Sequence, residues 1–350
     1  MKKVAREKKL TSLDVARMAG VSQTTVSFVI NGVTTAGISE ETRAKVLEVI
    51  AQLDYHPNES ARSLRNKATH IIGLAVPEAQ NEHHQQTATG AEAYARSRGY
   101  SVTRLVTNFD ANEERICFQL LKQRRFDALI VSLSTGGVLL NEIRDLRKQG
   151  YIISGLGYYL QGVEVDNVRV EARSGEEQLL KHLVELGHRR IGYIYGVSSL
   201  EIFRERLDTC LEIQQSLGLP VVEPWIRRCG PTLADGYRAT QELLAACTGP
   251  ERPTALVVVN DLLSNAVLAA LFAAHIPVPT EMSVASFDNT PLSQYMIPPL
   301  TTVDCNAYAM GEHAARLTIE RLSQPQRPDE SVVMPAQLIV RQSTGPAPSL

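Results

Sequence analysis

Residues 11–31 decide the fold of the N-terminal region, and they read TSLDVARMAGVSQTTVSFVIN. Thr11 and Asp14 have the spacing of a capping box, in which side-chain oxygens accept hydrogen bonds from free amides at the start of a helix. Gly20 supplies the left-handed backbone that ends this helix, and Ser22 is placed to cap a second one. The pattern therefore predicts two short helices joined by a tight turn, which is a helix-turn-helix.

Apolar residues at helical spacing indicate which faces of these helices are buried. The residues expected to face inward are Leu13, Ala16, Met18 and Ala19 in the first helix, Val21 in the turn, and Val26, Val29 and Ile30 in the second helix. The residues expected to face outward, toward bases and phosphates, are Gln23, Thr24, Thr25 and Ser27. A small helical hairpin with no role in DNA binding would show a similar pattern.

A third helix is predicted after Ser39, because Glu40 and Glu41 follow it and acidic residues favour the N-terminus of a helix. Its apolar residues would cover the first two helices, and they are Val46, Val49, Ile50 and Leu53. Residues 59–65, ESARSLR, come after Pro57 and predict a further short helix. The N-terminal region is thus expected to be an all-α domain with a short polar helix after it.

These segments carry a resemblance to a known family. Residues 10–31 and residues 38–65, ISEETRAKVLEVIAQLDYHPNESARSLR, resemble the DNA-binding head and hinge of the lactose-repressor (LacI/GalR) family. Weaker matches follow at HLVELGHRRIGYI, VVVNDLLSNAVLAAL and SVASFDNTPLSQYMIPPLTTV, so the resemblance covers nearly all of the chain. It implies a repressor that binds a near-palindromic operator in double-stranded DNA as a homodimer. A small-molecule effector, a sugar or related polyhydroxyl compound, would control it from a cleft.

The resemblance also implies which residues contact DNA. They are Ser22, Gln23, Thr24, Thr25, Ser27, Phe28 and Asn31 in the head, and Ala61, Arg62, Leu64 and Arg65 in the hinge. Phe28 stands where many relatives have arginine, so an apolar contact such as one to a thymine methyl is expected there. Leu64 matches the hinge leucine that inserts between base pairs in the minor groove. The alternative is a passive linker that only tethers the head.

Charge is distributed unevenly along the 350 residues, whose net charge is -2. Residues 1–70 carry 11 Lys and Arg against 7 Asp and Glu, whereas the remainder carries 25 against 31. The head is therefore the basic part of the chain, as phosphate binding requires. The lysines and arginine of residues 2–9 are either a phosphate-binding arm or an ordinary solvated tail.

The cysteines and the N-terminus indicate the cell compartment. The five cysteines are scattered and form no C-x-x-C pair, so buried free thiols are expected. The basic start MKKVAREKK precedes a capped helix and no apolar run, unlike a secretory signal. The sequence contains no apolar run that is long enough to predict a membrane-spanning helix. We expect a cytoplasmic, nucleoid-associated protein.

From residue 69 onward, apolar runs of strand length alternate with amphipathic stretches of helix length, which is typical of parallel sheets covered on both faces. The clearest predicted strands are 71–76, 101–106, 128–132, 151–154, 191–195, 255–259 and 283–287. We predict an α/β core of two lobes with doubly wound parallel sheets, similar to periplasmic sugar-binding proteins. The expected boundaries are a helix-turn-helix domain at 1–57, a hinge helix and linker at 58–68, and a core at 69–350. The chain would change lobe near 161–169 and cross back after about 289.

Ligands of open α/β sheets bind beyond the carboxyl ends of the strands. Asn260 and Asp261 follow one predicted strand and Asp288 follows another, and their oxygens could accept hydrogen bonds from hydroxyl groups. For Asp261 a helix-capping role is favoured. Together with the resemblance, this gives the expected effector-binding residues, which are Asn81, Tyr158, Arg206, Asn260 and Asp288.

The predicted cleft departs from the family at several positions. Where relatives have an asparagine, a proline and two aromatic residues, this chain has Asn81, Glu82, His83 and His84. Adjacent histidines could suggest a metal site, but no other Cys or His lies at ligand spacing, so a solvated loop is the favoured interpretation. Thr209 and Cys210 replace the usual glycine and aromatic residue. Tyr158 or Tyr159 could supply a ring instead, and Trp225 is expected to pack in the core.

Enzyme motifs are not found: the sequence has no phosphate-binding G-x-x-x-x-G-K-[ST] loop and no G-x-S-x-G nucleophile elbow. We therefore predict a non-enzymatic regulator without cofactor or metal. The alternative is a ligand-binding or transport-type protein whose N-terminal helices have another purpose. The last predicted strand is VVMPAQLIVRQ. The sequence STGPAPSL after it lacks the leucine heptads of a helical bundle, so a dimer is expected and a stable tetramer is not.

Overall fold

The computed structural model describes residues 10–30, 33–34, 37–55, 68–78, 80–157, 160, 162–196 and 201–349. They form two compact units that divide between Thr69 and His70. Six predicted site residues lie outside the described residues, and they are Asn31, Tyr158, Ala61, Arg62, Leu64 and Arg65. The described helices include none that is long and apolar enough to cross a membrane.

The N-terminal unit contains three helices, which are α1 (Ser12–Ala19), α2 (Gln23–Ile30) and α3 (Glu40–Gln52). The predicted caps are confirmed. Thr11 and Asp14 form a capping box, and the Thr11 amide donates to Asp14 Oδ2 at 2.9 Å. Gly20 ends α1 with a φ of 69°, and Ser22 Oγ accepts from the Thr25 amide at 3.0 Å. Ser39 caps α3 in the same way.

The core of this unit differs from the prediction in α1. Its buried residues are Val15, Ala16, Ala19, Val26, Val29, Val46, Val49 and Tyr55. Leu13 and Met18, which were expected to face inward, are 52% and 51% exposed. The reason is geometric: Val15 and Ala19 lie one helical turn apart and form the inward stripe, which places Leu13 and Met18 outside it.

The second unit consists of two six-stranded sheets. The first lobe contains β1 (Ile71–Val76), β2 (Ser101–Val106), β3 (Ala128–Val131), β4 (Ile152–Gly157), β5 (Asn167–Val170) and β11 (Ser331–Met334). The second contains β6 (Ile191–Gly196), β7 (Ile226–Cys229), β8 (Ala255–Val258), β9 (Ser283–Asp288), β10 (Thr301–Asp304) and β12 (Gln337–Ile339). The strand orders are β11-β5-β4-β3-β1-β2 and β12-β10-β9-β8-β6-β7, and all pairs are parallel except β10 with β12.

Helices cover both faces of the sheets. They are α4 (Glu82–Ser97), α5 (Ala111–Lys122), α6 (Leu140–Lys148), α7 (Ala172–Glu185), α8 (Glu201–Ser216), α9 (Leu233–Ala246), α10 (Asp261–Ala273) and α11 (Ala307–Ser323). In β1, Leu74 packs in one hydrophobic cluster with α4 and α11, while the next residue, Ala75, packs in another with α5. This alternation confirms a sheet buried on both faces, as predicted.

The chain passes between the lobes three times. The change expected near 161–169 comes only after Val170, because β5 pairs with β4 in the first sheet. The return expected after about 289 comes after Asp304, because β10 pairs with β9 in the second sheet. The segment VVMPAQLIVRQ, expected as one last strand, is two strands in different sheets. Pro335 separates them, and proline has no amide to donate to a ladder.

In the first lobe, α4 and α11 pack at very short distance through glycine. A Cβ atom added to Gly90 would overlap the Tyr308 carbonyl oxygen, and one added to Gly311 would overlap the Thr87 carbonyl oxygen. Only glycine allows two helix backbones to approach this closely. The contact fixes α4, whose first turn lies at the cleft between the lobes.

Candidate functional site

The outer face of α2 is the candidate nucleic-acid interface. Gln23 and Thr24 are exposed and Phe28 is 37% exposed, while Thr25 and Ser27 are half-buried. Gln23 Nε2 donates to Ser12 Oγ at 2.8 Å, which ties α2 to α1. The helix therefore presents polar side chains and one aromatic ring on a capped scaffold. The contacts of these residues with DNA remain predictions.

A cavity of about 350 Å³ lies between the two lobes of the core. Four of the five expected effector-binding residues line it, namely Asn81, Arg206, Asn260 and Asp288. Asn260 and Asp288 come from the carboxyl-terminal ends of β8 and β9, and Asn81 follows β1. The expected location beyond the strand ends is therefore correct, whereas ligand binding by these residues remains a prediction.

Arg206 is held in place on the second-lobe side of the cavity. Its guanidinium donates to the Val259 carbonyl oxygen at 3.0 Å and lies over the Phe287 ring, 4.6 Å from the centroid. Its Nε is 3.8 Å from Oε1 of Glu176, which is buried. The fork of donors is thus oriented before any ligand arrives.

Helix capping at α10 is shifted by one residue from the prediction. Asn260 is the cap, and its Oδ1 accepts from the Leu263 amide at 2.9 Å. Asp261, which was favoured for this role, is fully buried and accepts from the Thr290 amide at 2.8 Å and from Thr302 Oγ1 at 2.7 Å. Burial and the neighbouring Asp288 raise the pKa of Asp261 to about 7. Asp261 therefore braces the loop that follows β9.

Asp288 has an unusual backbone, with a φ of 110°. L-residues rarely adopt this conformation, which costs about 1 to 3 kcal/mol and persists only where the surroundings enforce it. Burial raises the pKa of Asp288 to about 7, although Arg206 and a hydrogen bond from Asn81 act in the opposite direction. The strained backbone and buried carboxylate are typical of a functional site.

The two histidines occupy the first turn of α4, so the interpretation as a solvated loop was wrong. Asn81 caps this helix by accepting from the His83 amide at 2.9 Å, and Glu82 favours the N-terminus. Both rings line the cavity. Burial lowers the pKa of His83 to about 4, with a contribution from Arg206, and burial beside His83 lowers the pKa of His84 to about 3. Both imidazoles are therefore neutral at pH 7.

Two contacts join α4 to the second lobe across the cavity. His83 Nδ1 lies 3.6 Å from Asp288 Oδ1, and Glu82 Oε2 accepts from the Leu292 amide at 3.1 Å. No group of three His, Cys, Asp or Glu residues suited to a metal ion is found in the part of the chain that the structure describes. His83 and Glu82 thus contact the opposite lobe.

The other departures from the family divide between the cavity and the core. Thr209 lines the cavity, whereas Cys210 is buried beside the Tyr195 hydroxyl, at 3.4 Å, and does not. Trp225 packs in the core as expected, and its Nε1 donates to the Glu251 carbonyl oxygen at 2.8 Å. All five cysteines are buried and free, as predicted.

Sequence reasoning missed Glu78, which lines the cavity two residues after β1. Burial raises the pKa of Glu78 to about 7, against a hydrogen bond from Asn81, and nearby Asp288 raises it further. The rule that identified Asn260 and Asp288, a polar residue after a buried strand, applies equally to Glu78. Cys305, which also lines the cavity, has no comparable signal because its place depends on β10.

The fold and the two candidate interfaces define a class of protein, a helix-turn-helix head joined to a ligand-binding core of periplasmic-binding type. Family models agree: residues 11–58 match bacterial regulatory proteins of the lacI family, and residues 180–344 match the periplasmic binding protein-like domain. The regulator DegA of Bacillus subtilis is 31% identical over 97% of this chain and 99% of its own length. The chain belongs to the LacI family of DNA-binding transcriptional regulators.

Other relatives are consistent with this membership. The repressor PurR of Photobacterium profundum is 30% identical over 95% of this chain and 98% of its own length. A lac repressor dimer bound to operator and the anti-inducer ONPF is 25% identical, with a TM-score of 0.85 over 97% of this chain and 100% of that one. The regulator CelR in complex with cellobiose is 27% identical, with a TM-score of 0.69 over 95% and 99% of the two chains.

Proposed function

We propose that this protein is a dimeric transcriptional repressor whose affinity for a near-palindromic operator is set by a polyhydroxyl effector in the interlobe cavity. The observation that carries the proposal is the pairing, in one chain, of an exposed recognition helix with a cavity lined from two lobes. Its setting is the cytoplasm, with the chromosomal DNA. Relatives named as regulators or repressors, one of them with cellobiose bound, support the same function.

In the head, Gln23 and Thr24 would read base edges at the start of α2, and Phe28 would contact a thymine methyl. Ser22, Thr25 and Ser27 would contact phosphates beside them. Two heads are needed for a full operator, so the core would hold them as a dimer. We expect no stable tetramer.

In the core, Asn260 and Asp288 would accept hydrogen bonds from hydroxyl groups, and the Arg206 fork would donate to adjacent oxygens. A ligand that contacts both lobes favours one lobe arrangement over another and thereby shifts a conformational equilibrium. The hinge residues Ala61, Arg62, Leu64 and Arg65 would transmit the shift to DNA, with Leu64 as a minor-groove wedge. A coupling of about 1 to 3 kcal/mol is typical of such linkage.

The test is selection of a half-site from a random duplex library, followed by operator titration in the absence and presence of candidate sugars. We expect a palindromic site, salt-dependent binding and a sugar that changes operator affinity more than about fivefold. Arg206→Lys should abolish the sugar response and keep operator binding. A protein that binds sugar but selects no duplex sequence would contradict the proposal and favour a ligand-binding protein of another kind.

A further inference from the structure

The cavity contains two carboxylates from opposite lobes, Glu78 of the first and Asp288 of the second, which we call the acid pair. Asn81 lines the cavity with them and lowers the pKa of both carboxyl groups. Because Asn81 Oδ1 accepts from the His83 amide, its NH₂ group is the part that can donate to a carboxylate. Two acids with a shared neutral donor repel each other, and a cation between them would relieve this repulsion.

Among the described residues, no lysine or arginine forms a salt bridge with Glu78 or Asp288. Arg206 is near enough to lower the pKa of Asp288, but it contacts Glu176, the Val259 carbonyl oxygen and the Phe287 ring. Arg173, also in the cavity wall, pairs with Glu177 and Glu212 at 3.5 and 3.2 Å. The adjacent histidines are neutral, since burial lowers the pKa of both. Within the described part of the chain, the acid pair thus has no ion-paired cation of its own.

A third acceptor lies beside the acid pair. His83 Nδ1 is buried, has no hydrogen-bond partner among the described residues and lies 3.6 Å from Asp288 Oδ1. A neutral imidazole can present such a nitrogen as an acceptor. Glu78, Asp288 and His83 thus offer three acceptors in the wall of one cavity, which matches in number the three N–H donors of a protonated amine.

We propose that the effector carries a protonated amine, as an amino sugar does, and that this amine binds between Glu78, Asp288 and His83. The inference rests on the proposed function, because it assigns a chemical class to the effector of the same cavity. Arg206 and Asn260 would contact the hydroxyl groups. An ammonium group between Glu78 and Asp288 would attract both lobes to the same positive charge. A ligand carboxylate or phosphate next to the acid pair would be repelled.

The experiment uses full-length protein and nine probes: glucose, galactose and mannose, the 2-amino sugar of each, and the uronate of each. Thermal shift and calorimetric titration at pH 7 measure binding. In at least one series the amino sugar should bind tenfold or more tightly than its parent and its uronate, since hydrogen bonds between charged groups are worth about this factor. If no series shows this preference, or the uronate binds most tightly, the inference is overturned.

Two variants assign the preference to the acid pair. Glu78→Gln keeps the shape and removes one charge, so the preference for the amino sugar over its parent sugar should fall about tenfold. Glu171→Gln is the matched control, because Glu171 lines the same cavity but caps α7 by accepting from the Ser174 amide at 3.0 Å. This control should keep the preference. A Glu78→Gln protein with an unchanged preference would overturn the inference.

Operator titration separates the two proposals. An amino sugar that changes operator affinity supports both. A neutral or acidic sugar that changes operator affinity through Arg206, with no advantage for the amine, overturns the amine inference and leaves the repressor function standing. A protein that selects no operator contradicts the proposed function even if amino sugars bind.

Discussion

The two sides of the cavity are built on different principles. On the second-lobe side are Arg206, Asn260 and Asp288, which the family resemblance predicts to bind the effector. Each is fixed by the fold through a buried partner, a helix cap or a strained backbone. On the first-lobe side are His83 and His84, at positions where the resemblance predicts stacking aromatics. They project from the first turn of α4, where the cap is made by Asn81 and does not depend on them.

This difference indicates a division of labour within the cavity. Of the side chains that the fold itself fixes, Arg206 and Asn260 are expected to supply general recognition of hydroxyl groups, whereas Asp288 shares the proposed amine with the first-lobe residues. Side chains that only project from a fixed turn can change without loss of the helix, and they determine which ligand is accepted. The predictions below test this division, in order of decreasing expected effect.

The largest effect should come from the scaffold of the first-lobe side. In Gly311→Ala the new Cβ would overlap the Thr87 carbonyl oxygen, so α4 and α11 must separate. We expect a loss of about 3 kcal/mol or more in the free energy of unfolding, measured by urea denaturation. Gly137→Ala is the control, because the nearest atom to its Cβ is Leu140 Cδ1 at 3.8 Å. A Gly311→Ala protein as stable as this control would refute the close helix contact.

The second-lobe side should respond to the loss of a buried charge. Arg206→Met leaves Glu176, which is 1% exposed, without its guanidinium neighbour. Removing the cationic neighbour of a buried carboxylate is destabilising, and we expect a loss of about 2 to 3 kcal/mol in the free energy of unfolding. The double variant Arg206→Met with Glu176→Gln should recover more than half of this loss. If the second substitution adds to the loss, Arg206 does not act as the counter-ion of Glu176.

The first-lobe histidines should make the stability of the core depend on pH. The pKa of His84 is about 3 in the folded state and about 6.5 when unfolded, so only the unfolded state binds a proton between these values. Stability is therefore lost as the pH falls from 6.5 toward 4. His84→Gln should reduce this loss by about 1 to 2 kcal/mol and match the wild type at pH 7.5. Parallel stability curves for the two proteins would exclude a lowered pKa of His84 in the folded state.

The head also combines residues that resemble the family with one that departs from it. Its helix caps resemble those of the family, whereas Phe28 stands where the resemblance predicts an arginine. Phe28→Ala should weaken the preference for thymine at one position of the half-site by about 1 kcal/mol, and Thr24→Ala should alter a neighbouring position. Duplex selection measures both, and circular dichroism checks that the head stays folded. Unchanged half-sites in both variants would mean that these side chains only face solvent.

Local signals made much of the fold predictable. Helix caps such as Thr11 with Asp14 depend on residues three positions apart in the sequence. A continuous apolar run of strand length is itself a prediction of a buried strand. Strands β5, β7 and β10 were not predicted, because they have four residues each and include polar or charged ones, as in NVRV and IRRC. These segments are extended because they pair with strands that are distant in the sequence. Such pairing cannot be inferred from the local periodicity of apolar residues.

The cavity was predictable to the same degree. Residues that directly follow strong strands, such as Asn260 and Asp288, were found in the cavity as expected. The place of His83 was not, because its burial depends on the second lobe lying opposite α4. The sequence predicted Asp261 as the cap of α10, but the helix begins one residue earlier and Asn260 is the cap. Both residue types are good caps, so the sequence alone does not decide between them.

The three passages between the lobes bear on how the protein is made. The first lobe takes its last strand from residues 331–334 and the second from residues 337–339, so neither lobe is a continuous piece of chain. During synthesis both sheets lack an edge strand until the ribosome has added these residues. Both lobes can therefore complete their sheets only after residue 339 has been synthesised, and neither lobe can be produced by cutting the gene at a single point.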